Sequence, residues 1–177
     1  MFHCTAVAPH TVDCSCLPGR RGALGLIAAA MLAPMAARAA EGQYAAMLVN
    51  CIDPRFTASS AAYMSAYGMA GRYSHFVIAG GPLGAVHPRF ATWHDAFWDN
   101  LAITRQLHRI ERVVAMGHRD CGAAKLALGD AAVATPERET AAFGAVIDQF
   151  RAEAARRHPG LPVVGGLMAL NGDVTPL

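Results

Sequence analysis

The 177 residues carry 15 lysines and arginines against 13 aspartates and glutamates, without a block of either sign, which excludes the basic stripe of a nucleic-acid binder and the polybasic contact of a membrane-surface protein. Hydrophobic residues make up 54% of the chain, too many for a disordered polymer and enough for one ordinary core.

The first 39 residues read as a leader. Gly19-Arg20-Arg21 precedes an Ala- and Gly-rich apolar run over 22–37, and Ala37-Arg38-Ala39 offers a small-x-small cleavage pattern. The paired arginines with Leu24 resemble a twin-arginine signal, with the Sec route as the alternative, so an exported, periplasmic protein is expected. An uncleaved anchor is a further alternative, although the apolar run is shorter than the roughly 20 residues that span a bilayer; after cleavage no stable membrane insertion is expected. Losing Arg20, Arg21, Arg38 and Asp13 takes the 15 basic and 13 acidic residues to twelve of each, a formally neutral domain over 40–177. Cys4, Cys14 and Cys16 leave too. Cys51 and Cys121 remain, and in an oxidising compartment a disulfide between them stands beside any metal reading.

Apolar runs at 45–50, 73–79, 112–117 and 161–170 are strand-sized and mostly lack in-out alternation, as buried parallel strands do. Between them, 58–69 is Ala-rich and helical, and 90–108 sets Phe90, Trp93, Phe97 and Leu101 on one face as core. A short helical run covers 123–128. Thr135-Pro136 then opens a helix whose stripe is Phe143, Val146, Ile147, Phe150 and Ala154, and Pro159-Gly160 closes it. This alternation predicts a three-layer α/β domain with a mainly parallel four-stranded sheet in the order 2-1-3-4. Ligands of such sheets bind beyond the carboxyl ends of the strands, at the switch point where Cys51 and His118 would meet.

The third strand ends in Gly117-His118-Arg119-Asp120-Cys121-Gly122, with Asp120 a candidate N-cap. Cys121 at a helix start is placed where a thiolate is favoured. With Cys51 from the neighbouring strand, His118 and Cys121 form two sulfurs and one imidazole, a set that suits tetrahedral Zn²⁺ at about 2.3 and about 2.0–2.1 Å. Asp53 and Arg55 lie two and four residues beyond Cys51.

Cys51-Ile52-Asp53-Pro54-Arg55 and His118-Arg119-Asp120-Cys121-Gly122 resemble the two motifs of the β-class carbonic anhydrases, Cys-x-Asp-x-Arg and His-x-x-Cys-Gly. The ending over 163–168 with Asn171-Gly172 is similar to that family's last strand and turn, so the resemblance covers 45–177. It implies zinc held by Cys51, His118 and Cys121 and reversible hydration of carbon dioxide. Asp53 would accept a hydrogen bond from the nucleophile, Arg55 would hold Asp53, and Asp53 would be a conditional fourth ligand. A homodimer or dimer of dimers is also implied, and because two thiolates make zinc a weaker Lewis acid than imidazoles would, activity is expected to rise toward alkaline pH.

Where the family carries Arg-Asn-Ala-Gly, this chain has Val77-Ile78-Ala79-Gly80. Gly80, Gly81 and Gly84 around Pro82 lack the spacing of a phosphate loop, and an ordinary loop is expected. The mature chain would begin a few residues before its first strand, without an N-terminal helical arm. His75, His87 and His94 are unranked candidates for proton transfer. Two alternatives stay open: a hydrolase of carbonyl sulfide or carbon disulfide, and a non-catalytic zinc or sensor protein closed by Asp53.

Overall fold

Residues on the central strands are apolar in unbroken runs because both faces of the sheet are covered. The computed structural model describes residues 42–177, and the leader expected at 1–39 lies outside them. In strand β1 (Ala46–Asn50), Met47 and Val49 pack among Phe97, Leu101 and Ile147, while Ala46 and Leu48 pack with Phe56 and Met64 on the opposite face. Strand β3 (Val113–His118) divides its side chains the same way. Both strands are buried throughout.

β1 pairs in parallel with β2 (Tyr73–Val77) on one side and β3 on the other, and β3 pairs in parallel with β4 (Val163–Met168). The 2-1-3-4 order expected from the sequence is therefore present. The sheet nevertheless has five strands, because β5 (Val174–Pro176) returns antiparallel to β4. Its three residues, ending in proline, are too few to display a period.

Helix α1 (Thr57–Ala66) contributes Met64 to the layer on one face. α3 (Ala91–His108) and α5 (Pro136–Arg157) supply the opposite layer, and Thr135 caps α5 by accepting the Arg138 N–H at 3.3 Å. α1 stops short of the expected residue 69 because Gly68 turns the chain with φ 70. Two further expectations need correction. The stretch after Gly80-Gly81 is not a plain loop, since Pro82–Val86 forms the short helix α2, entered through φ 80 and 58 at the two glycines. Trp93 is not core either: it stacks on Phe90 at 4.5 Å and stays partly exposed, while Trp98 is buried in its place.

Gly117 carries the contact between β3 and α5. A Cβ there would stand 2.5 Å from Cδ1 and 2.6 Å from Cε1 of the fully buried Phe143. Gly117→Ala should therefore destabilise by roughly 1–3 kcal/mol through overpacking, read as a lower urea midpoint. An unchanged midpoint would mean that Phe143 moves aside freely.

Candidate metal centre

β1 and β3 run side by side in the same direction, with Val49 opposite Ala115, so the residues at their carboxyl ends arrive at one edge of the sheet. Cys51 follows β1, His118 is the last residue of β3, and Cys121 stands at the entrance to α4 (Gly122–Leu128). All three are buried, and one ligand atom from each lies within 4.8 Å of the others. The sequence placed them together and the fold does the same.

The histidine fixes its own tautomer. Nδ1 lies 2.8 Å from the carbonyl oxygen of Arg119, which can only accept, so Nδ1 carries a proton and in the neutral imidazole the lone pair is on Nε2. Nε2 is buried without a hydrogen-bond partner. Leaving such an atom unsatisfied costs about 1–3 kcal/mol. The Phe56 ring packs against the imidazole with centroids 4.1 Å apart.

Hydrogen bonding from Cys121, outweighing burial and aided by the backbone N–H of Gly80 at 3.2 Å, holds the Cys51 thiol below its usual range. Cys121 is pushed up by Cys51 and by burial. Burial alone would depress His118, but the nearby Cys51 sulfur and the Arg119 carbonyl outweigh it and raise the imidazole. Two cysteine sulfurs that bind as thiolates and an unpartnered imidazole nitrogen are the donor set of a zinc site, so these residues fit the metal.

Beside the cluster, Asp53 is gripped from one side. Arg55 donates from Nε to both carboxylate oxygens at 3.0 and 3.2 Å and from Nη2 at 2.7 Å. The guanidinium holds the Asp53 carboxyl at about 2. The same guanidinium reaches the other loop, donating to Asp120 Oδ2 at 3.0 Å and to the Asp120 carbonyl at 3.2 Å. Asp120 is not the N-cap expected of it. Its φ is 55, and Cys121 occupies the cap without a side-chain bond.

A pocket of about 420 Å³ opens over Cys51 and Asp53, walled by Ile52, Pro54, Phe90, Trp93 and Leu126. Ile52 and Leu126 are 61% and 65% exposed at its mouth. The candidate proton carriers lie elsewhere. His75 bonds Asn50 Oδ1, His87 accepts the Arg89 N–H, His94 bonds the His87 carbonyl, and none of them lines this pocket. The sequence reading missed Gly80 as a donor to Cys51, Trp93 as a pocket wall and Glu139 behind Asp120. Only the Gly80-Gly81 pair carried a local signal, a backbone able to turn under the cluster.

No family model matches the chain. An uncharacterized protein of Rickettsia conorii is 30% identical over 128 residues, covering 72% of this chain and 69% of the rickettsial one. The chain belongs to that protein's family. A second relative, from Rickettsia bellii, is 27% identical over 128 residues, covering 72% of this chain and 78% of its own. Solved structures supply the fold. The carbonic anhydrase of Streptococcus mutans superposes with a TM-score of 0.52 at 17% identity, covering 88% of this chain and 95% of that one. The chain thus has the fold of that carbonic anhydrase, an α/β domain with a mainly parallel sheet, and its chemistry rests on its own side chains.

Proposed function

We propose that the protein is a zinc enzyme that reversibly hydrates carbon dioxide to bicarbonate and a proton. The observation that carries the reading is the unpartnered Nε2 of His118 between two buried thiols, beside an aspartate held by an arginine. Cys51, His118 and Cys121 would hold zinc, and zinc so bound supplies the Lewis acidity that makes water nucleophilic near neutral pH. The residues do the remainder. Asp53, ionised and fixed by Arg55, accepts a hydrogen bond and orients the attacking water. Arg55 keeps Asp53 engaged, which favours an open site over one closed by that carboxylate. Ile52, Phe90 and Trp93 offer an apolar wall to an apolar substrate.

The volume of that pocket, about 420 Å³, leaves room for a second reading, a hydrolase of carbonyl sulfide or carbon disulfide with their larger sulfur atoms. Zinc analysis with stopped-flow assays on all three substrates, on protein purified without chelator, separates the readings. One zinc per chain with fast carbon dioxide hydration is expected. One zinc with turnover of the sulfur compounds only would select the hydrolase, and no zinc with Cys51 bonded to Cys121 would overturn both. Export under the 1–39 leader and assembly as a homodimer belong to the same proposal, checked by the N-terminal sequence of the mature protein and by light scattering.

A further inference from the structure

Asp120 separates two of the three residues that converge, and its backbone occupies the left-handed region with φ 55. Such a conformation is uncommon for a residue with a side chain and costs on the order of 1–3 kcal/mol unless its surroundings fix it. What fixes it comes from another element. Glu139, in the first turn of α5, is 6% exposed, and its Oε1 accepts the Asp120 N–H at 2.6 Å. Its other oxygen meets Arg119 at 3.3 Å. The contact to the backbone is the shorter by 0.7 Å, so the carboxylate serves the loop first and the arginine second.

From there the contacts run on without a gap. Asp120, set by Glu139, accepts Arg55 on its carboxylate and on its carbonyl, and Arg55 grips Asp53. We infer that Glu139 is a positioning residue: by holding the Asp120 backbone it sets the spacing of His118 and Cys121 and anchors the guanidinium that orients Asp53. The assignment rests on the zinc reading for its consequence in catalysis, and on geometry alone for its consequence at the ligands.

Cobalt substitution tests both. Full-length protein carrying Glu139→Ala should bind Co²⁺ about 10-fold or more weakly, in line with the roughly 10–100-fold cost of removing a group that orients a ligand. Its visible cobalt bands should shift, and its kcat for hydration should fall by a similar factor when fully loaded. Glu139→Gln keeps an oxygen for the Asp120 N–H and should restore affinity, bands and kcat to within about threefold. Asp120→Ala changes a half-exposed side chain and serves if Glu139→Ala does not fold: kcat should drop about fivefold or more with metal retained. Wild-type bands and affinity in Glu139→Ala, or in its stead wild-type kcat in Asp120→Ala, would overturn the assignment, as would a Gln variant as impaired as the alanine one. Absence of hydration by the wild type would instead strike the proposed reaction, leaving the cobalt spectra to judge Glu139.

Discussion

Replacing Cys121 by alanine should leave the protein without zinc. Metal analysis of Cys121→Ala is expected to fall from one ion per chain to a trace, and the same holds for Cys51→Ala. Affinity should drop by more than about 100-fold, because even groups that only orient a ligand account for roughly 10–100-fold. Losing the metal also leaves Nε2 of His118 buried and unsatisfied, so both variants should melt below the zinc-loaded wild type. Treating the wild type with a strong chelator should lower its melting temperature in the same direction. Zinc retained at full stoichiometry in Cys121→Ala would remove that residue from the ligand set.

Asp53→Ala should have the opposite profile, a full complement of zinc and little turnover. Misplacing a reacting group by about 1 Å can cost about 10²-fold, and the loss is expected in kcat more than in KM if Asp53 orients the nucleophile and the apolar wall holds the substrate. The pH dependence supplies a second check. Arg55 holds the Asp53 carboxyl at about 2, below its usual value, so it is ionised at every pH above about 4. It takes up no proton in the assay range, and the residual activity of Asp53→Ala should keep the wild-type pH profile from pH 5 upward. A displaced profile would assign to Asp53 a titration that the geometry does not give it, and wild-type turnover would end its role.

The central strands were legible because their chemistry is local. Unbroken apolar runs at β1 and β3 match burial on both faces, and the stripe from Phe143 to Ala154 matches the inner side of α5. Cys51, His118 and Cys121 could be grouped because residue type, strand-end position and the topology of parallel sheets converge on one place. What escaped was settled by tertiary contact. Trp93 lies at helical spacing from Phe90 and Phe97, yet the stripe turns inward at Trp98 and leaves Trp93 at a pocket mouth. Glu139 looks like an ordinary acidic residue in the first turn of a helix, favourable to the dipole, and nothing in its neighbours announces the Asp120 N–H. Asp120 had the composition of an N-cap, but the cap went to Cys121 once Arg55 and Glu139 had fixed the preceding residue.

The grouping of ligands from strands that are neighbours in space but not in sequence bears on how the protein is made. Cys51 leaves β1 and His118 ends β3, with β2 and three helices threaded between them. An unfolded chain offers only the local His118 and Cys121 pair, and the third donor arrives after a long loop has closed and two parallel strands have found their register. If the site takes zinc as proposed, capture of the ion at full strength follows the pairing of β1 with β3. On the proposed zinc reading, the compartment in which this chain completes its folding is also the one that has to provide its metal.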